Sequence, residues 1–205
     1  MEEKKRIGFD ADDSLIKTME PLNGFHNAKY GKKLTLEDYK TYYFSQTWEM
    51  PEEQAVRDVQ SFYESEYYDQ IEVTEGALEV VNYLSPRYDL DVITFRPGKN
   101  IEKYLLTTFS KLFLPDSFSN VYHIERGNDP QVQKWEKCKE CNIPILIDDY
   151  HEHLILAAGQ GIYGILLPAP WNKDVTDLPK KITRVRNLDE AVEVIEKNEK
   201  VIWGF

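Results

Sequence analysis

The run Ile7-Gly8-Phe9-Asp10-Ala11-Asp12-Asp13-Ser14-Leu15 carries a short apolar stretch directly into three carboxylates. A buried strand has no structural use for Asp10 and Asp12 at its carboxyl end. Like charges packed together destabilise a fold unless something cationic sits among them. A divalent metal with a phosphorylated ligand is the simplest chemistry that answers such a cluster, and the rest of the chain can be searched for its other parts.

Outward from this run, short apolar stretches alternate with helical patterns. Arg6–Asp10 reads as a buried strand, and Glu75–Leu84 has helical spacing at Ala77, Leu78, Val80, Val81 and Leu84. Strands are expected over Leu90–Phe95, Val121–Ile124, Ile143–Ile147 and Ile162–Leu167. Helices are expected over Ile101–Phe113, Val132–Cys141, His153–Ala158 and Leu188–Glu196. Such alternation specifies an α/β fold with a parallel sheet covered by helices on both faces. Ligands in these folds bind beyond the carboxyl ends of the strands, where Asp10, Thr94 and Asp148 all fall.

The alternation breaks between Ile16 and Thr74, a stretch far longer than a simple crossover needs. Its patterns are helical over Leu22–Tyr30, over Thr35–Tyr43 behind a capping-box-like Thr35-Leu36-Glu37-Asp38, and over Pro51–Tyr68. The expected organisation is therefore a core of residues 1–15 and 75–205 with a small helical cap, 16–74, inserted after the first strand.

The 205 residues suffice for one core domain plus an insertion, and 41% of them are hydrophobic. The net charge of −11 argues against a nucleic-acid polymer as partner, since phosphate backbones require a basic footprint. A small phosphorylated ligand remains compatible, because one metal ion and a few local cations can reverse the potential in a pocket. Cys138 and Cys141 form a C-x-x-C with no second ligand pair, and they read as two thiols in a reducing compartment. The charged Met1–Arg6 segment leads straight into a strand, and no apolar run reaches the length of a membrane span. A cytoplasmic protein without a membrane partner is expected; oligomeric state is not legible.

Four pieces in this order resemble a haloacid dehalogenase (HAD) superfamily phosphatase. Asp10-Ala11-Asp12-Asp13-Ser14 is similar to the family's D-x-D-x-[T/V]. Val92-Ile93-Thr94 matches the Thr or Ser that closes the second motif strand. Lys134 matches a Lys opening a helix, and Ile145-Leu146-Ile147-Asp148-Asp149 matches the final acidic pair. The fold implied is a Rossmann-like HAD core. The resemblance implies Asp10 as nucleophile and metal ligand, and Asp12 as general acid and base with its backbone carbonyl on the metal. It further implies Thr94 as a phosphoryl hydrogen-bond donor and Lys134 as the charge-offsetting cation. Asp149 is favoured as the direct ligand and Asp148 as its support, in an oxygen-rich shell suited to Mg²⁺. Lys137 and Lys139 compete for the role of Lys134. Asp13 and Ser14 stand where Gly and Thr are frequent, which removes no catalytic group.

Phosphate monoesters hydrolyse slowly, so the barrier must fall through positioning and charge neutralisation. A receiver-type phospho-accepting domain also uses acidic residues, Thr and Lys on a parallel sheet. There, however, the acidic pair closes the first strand, and here it comes last. Asn23–Gly31, Leu34–Tyr39, Glu75-Gly76-Ala77, Thr94-Phe95-Arg96-Pro97 and Pro170-Trp171-Asn172 are similar to the 5′(3′)-deoxyribonucleotidase-like family. This implies a (deoxy)nucleoside monophosphate as substrate, with another small phosphate such as a sugar phosphate as the alternative. Phe95 and Arg96 join Thr94 and Lys134 as expected substrate-binding residues, although Arg96 could equally pair with an acidic residue. Tyr42, Tyr43, Phe44 and Trp48 could stack on a base or simply build the core of the cap.

Overall fold

The computed structural model describes residues 4–97, 101–124 and 130–204. In chain order the elements are β1 (Arg6–Phe9), β2 (Ile16–Lys17), α1 (Met19–Tyr30), α2 (Phe44–Thr47), α3 (Glu52–Tyr63), β3 (Glu72–Val73), α4 (Ala77–Leu84), β4 (Asp89–Phe95) and α5 (Ile101–Leu112). They continue with β5 (Asn120–Ile124), α6 (Pro130–Glu140), β6 (Ile145–Asp148), α7 (His151–Gly159), β7 (Tyr163–Leu166), β8 (Ile182–Arg184), α8 (Leu188–Lys197) and α9 (Glu199–Trp203).

Six strands make one sheet in the order β5-β4-β1-β6-β7-β8. Every pairing in it is parallel. Because strand side chains alternate between faces, the sheet sorts its apolar residues into two layers. Ile7, Phe9, Val92, Ile145, Ile147 and Ile165 join one core cluster, which also takes buried residues of α4, α5 and α8. Ile93, Leu146 and Leu166 join a second cluster with Cys138 of α6 and Leu154 and Ala157 of α7. Gly8 is glycine for a steric reason: a Cβ there would lie 3.0 Å from Ile143 Cγ2 and 3.3 Å from Ile93 Cδ1.

The segment between β2 and β3 holds α1, α2 and α3, and the two short strands pair antiparallel at its base. A helix over Thr35–Tyr43 is not what forms. The Asp38 carboxylate accepts the Thr35 N–H at 2.7 Å, but only a 3-10 turn over Leu36–Asp38 follows. Tyr39 leaves helical geometry and is fully buried, where its hydroxyl donates to Asn23 Oδ1 at 3.1 Å and accepts the Trp48 indole N–H at 2.8 Å. Tertiary packing of this one ring overrides the local helical signal. The Pro51–Tyr68 pattern likewise ends as a helix at Tyr63, with a 3-10 turn over Tyr68–Gln70. The β2–β3 ribbon, β8 and α9 are elements the sequence pattern did not announce.

Candidate active site

Parallel strands aim their carboxyl ends at one edge, and β1, β4 and β6 each deliver an acid or hydroxyl there. Asp10 follows β1 directly, and its backbone N–H donates to Ile147 O of β6 at 2.8 Å, which ties the two acidic ends together. Asp10, Asp148 and Asp149 are buried, and they each offer one carboxylate oxygen within 4.8 Å of the others.

Lys134, on α6 and 1% exposed, enters this cluster. Its Nζ lies 2.9 Å from Asp10 Oδ1 and 2.7 Å from Asp148 Oδ2. Burial works against its charge, but Asp10 and Asp148 outweigh that and raise its pKa. Lys137 instead pairs with Glu140 at 2.6 Å on the helix surface. Asp148 also accepts the Tyr150 N–H at 2.8 Å and faces His153 Nδ1 at 3.1 Å. Burial opposes its ionisation, yet Lys134 and His153 hold it well below the usual carboxylate range.

Asp149 differs. Among the described residues no donor reaches its carboxylate, and burial together with Asp148 and Asp10 pushes its pKa well up. Burial also raises Asp10, against the pull of Lys134. Two hard carboxylates driven toward protonation by burial and mutual repulsion are what a divalent cation relieves, and all-oxygen donors suit Mg²⁺. Asp10 and Asp149 therefore fit the ion, while Asp148 is occupied in holding Lys134, His153 and the Tyr150 peptide.

Asp12 faces a different partner. Arg96, 1% exposed, donates to both its oxygens, Nε to Oδ2 at 2.9 Å and Nη2 to Oδ1 at 2.6 Å. Its Nη1 donates to the Tyr68 hydroxyl at 2.8 Å. Thr18 Oγ1 also donates to Asp12, and Thr94 Oγ1 lies 3.4 Å from Asp12 Oδ2. Burial would raise the Asp12 pKa, but the Arg96 charge and hydrogen bonds lower it. Asp13 takes a left-handed φ of 54°, a conformation that short polar side chains tolerate better than most. Its carboxylate accepts the Met19 N–H at 3.1 Å, fixing the start of α1.

A cavity runs from Asp10, Asp12 and Asp149 into the 16–74 segment, with Tyr42, Tyr43 and Phe44 on its wall. Tyr42 stacks on Tyr150 at 3.9 Å between ring centroids, and Phe95 lines the same space 5.4 Å from the His153 ring. Trp48 is instead a core residue, stacked on His26 at 4.3 Å.

The structure thus brings Asp10, Asp12, Thr94, Phe95, Arg96, Lys134, Asp148 and Asp149 to one place. Tyr42, expected as a possible ring for a base, and Asn172, quoted with Pro170-Trp171 for the resemblance, also stand there, while Thr18, Tyr68 and His153 are additions. Asn172 is fully buried and donates to Asp149 O at 2.7 Å and to Leu167 O at 2.7 Å, with Trp171 Nε1 adding a bond to Asp149 O at 3.2 Å. Of the additions only His153 had a sequence signal, since a helix beginning after Asp148-Asp149 returns its first turn to the strand end.

No family model matches the chain, and neither does any curated protein. Solved structures do match. A predicted phosphatase from Clostridium acetobutylicum superposes with TM-score 0.69 at 16% identity, covering 95% of this chain and 99% of that one. A haloacid dehalogenase-like family hydrolase from Streptococcus pneumoniae gives 0.66 at 14%, covering 95% and 100%. A HAD-type hydrolase from Bacillus subtilis bound to magnesium gives 0.59 at 13%, covering 95% and 99%. At such identities the likeness establishes the fold: a six-stranded parallel sheet flanked by helices, the Rossmann-like HAD architecture.

Proposed function

We propose that the chain is a Mg²⁺-dependent phosphomonoesterase that works through an aspartyl-phosphate, with residues 16–74 acting as its cap. The observation that carries this reading is the meeting of Asp10 with Lys134 at 2.9 Å beside Asp149, whose carboxylate no donor among the described residues reaches, at the carboxyl ends of adjacent strands. Asp10 is placed to attack phosphorus and release the alkoxide, and Asp12, ionised against Arg96, to relay to that alkoxide a proton brought in by the substrate's phosphate monoanion. Water then attacks the aspartyl-phosphate, and Asp12 accepts its proton. Thr94 and Lys134 hold the phosphoryl oxygens and offset their charge. Asp10, Asp149 and the Asp12 backbone carbonyl would hold Mg²⁺. When bound, the ion neutralises phosphate charge and fixes the substrate against the nucleophile.

For the leaving group we favour a (deoxy)nucleoside monophosphate, supported by the rings of Tyr42, Tyr43 and Phe44 along the cavity wall. Another small phosphate such as a sugar phosphate is the second reading. Among the described residues no helix is long and apolar enough to cross a membrane, and we place the reaction in the cytoplasm. The test is phosphate release from nucleoside monophosphates and sugar phosphates, with and without Mg²⁺. Turnover is expected only with the ion and is abolished in Asp10→Asn. Equal turnover in chelator, or an active Asp10→Asn, would remove the mechanism.

A further inference from the structure

The cavity that starts at Asp10, Asp12 and Asp149 does not close over the phosphate position. It continues between α1 and α3, where Met19, Leu22, Phe44, Val56, Val59 and Phe62 line it. Leu22, Val59 and Phe62 are at most 5% exposed. These are apolar surfaces turned toward a cavity rather than packed away from one. Ligand sites are typically apolar with a few convergent polar groups, and here Asp10, Asp12, Arg96 and Asp149 stand at the core end.

We infer that the 16–74 end of this cavity is built for an uncharged, apolar leaving group, and that it rejects a substrate carrying a second anion there. The inference rests on the phosphomonoesterase reading for the position of the phosphate. With phosphorus beside Asp10, whatever is esterified to it points into the α1–α3 space, and apolar contact there is the available source of binding. Charge argues in the same direction. Among the described residues lining the cavity the one cation is Arg96, whose Nε and Nη2 are on Asp12 and whose Nη1 is on Tyr68. Half-buried Asp13 and exposed Glu52 also line the space, so a carboxylate or second phosphate there would face acids. Nucleosides, arylalkyl alcohols and other uncharged groups belong to the accepted class. Glycolate-like and bisphosphate substrates do not.

Three alkyl phosphates of similar leaving-group reactivity test this with the Mg²⁺-loaded protein: 2-phenylethyl phosphate, glycerol phosphate and phosphoglycolate. The expected kcat/KM for 2-phenylethyl phosphate exceeds that for phosphoglycolate by about 100-fold or more. Val56 is half-buried, so Val56→Lys can seat its ammonium at the cavity edge. This variant should narrow the ratio at least tenfold. Calorimetric titration with the product 2-phenylethanol, which needs no turnover, should show binding in the wild type and loss of it in Val56→Lys. Hydrolysis that favours phosphoglycolate, or a ratio unmoved by Val56→Lys, would overturn the inference and leave the phosphatase reading standing. Binding of 2-phenylethanol without hydrolysis of any phosphate would uphold the apolar site and remove the phosphatase reading. Neither binding nor hydrolysis would remove both.

Discussion

Arg96 is the residue on which the proposed proton chemistry turns. It holds Asp12 as a carboxylate through two hydrogen bonds, at 2.9 and 2.6 Å, and is itself anchored on Tyr68. A guanidinium can grip both oxygens at once, whereas an ammonium is a point charge on a flexible stem. Arg96→Lys is therefore expected to lower kcat by about tenfold, and Arg96→Met by about 100-fold, with KM much less affected. Steady-state kinetics on a nucleoside monophosphate, whose alkoxide cannot leave without a proton, reads both; an unchanged kcat in Arg96→Met would show that the pair is merely structural. His26 makes a different kind of prediction. It is 1% exposed, and neither ring nitrogen has a hydrogen-bond partner among the described residues. Burial lowers its pKa in the fold, so the unfolded chain binds the proton more readily. The stability it permits is present above the ordinary histidine pKa of about 6.5 and is lost as pH falls through that value. His26→Phe keeps a ring against Trp48 and removes two orphaned nitrogens. It should raise stability by about 1 kcal/mol at neutral pH and remove part of the loss between pH 7 and 5.5, by about half a unit or more of log K. Thermal melts across that range check it, and a variant as acid-sensitive as the wild type would contradict the assignment. His151 and His153 are lowered by burial too, so a residual dependence is expected.

At the scale of elements, what could be read beforehand and what could not separate along a physical line. The strands β1, β4, β6 and β7 were legible because a parallel sheet buried on both faces requires nearly continuous apolar runs. Their carboxyl ends place Asp10, Thr94 and Asp148 at one edge from the sequence pattern alone. The Thr35–Tyr43 segment was misread because its outcome depends on where Tyr39 packs, which no local pattern records. Arg96 stayed open between phosphate and acid for the same reason, since its partner Asp12 is adjacent only in three dimensions. The strand β8 is too short, at three residues, to show a period. With β8 unseen, the role of the loop before it was hidden as well. There Arg184 donates to Asn172 Oδ1 at 2.8 Å, and Asn172 in turn braces the carbonyls of Asp149 and Leu167. Asn172→Ala takes this donor from Leu167 O and leaves Asp149 O with only the 3.2 Å bond from Trp171 Nε1, which should cost about 2–3 kcal/mol. Because the braced peptide belongs to Asp149, Mg²⁺ affinity should also fall, by about tenfold. Urea unfolding and calorimetric Mg²⁺ titration measure the two effects separately. A stability loss with unaltered Mg²⁺ affinity would mean that the brace serves the loop and not the acidic motif.

For the whole molecule, the arrangement of the 16–74 segment over the sheet edge matters more than either part alone. Its covalent tethers meet at the small β2–β3 ribbon, where Ile16 pairs with Val73 and Lys17 with Glu72. Beyond the ribbon, Asp13 holds the start of α1 and Arg96 holds Tyr68, so both ends of the insertion are fastened to the acidic edge of the sheet. The far side is fastened by rings. Tyr42 lies face to face with Tyr150 at 3.9 Å and 13°, and edge-on to His153 and Trp171. An aromatic pair adds about 1 kcal/mol beyond the area it buries, enough to bias a cap between docked and open states but not to determine folding. Tyr42→Ala should therefore leave the core melting transition nearly in place while loosening the cap. Limited proteolysis is expected to cut between residues 31 and 43 several-fold faster in Tyr42→Ala, and at the wild-type rate in Tyr42→Phe, which keeps the stacked ring. Turnover should follow the same order, because an undocked cap admits water to the site and no longer holds the leaving group. Equal protection in wild type and Tyr42→Ala would assign the docking to the ribbon and the Asp12–Arg96–Tyr68 chain instead, and the aromatic contact would then be a consequence of closure rather than its latch.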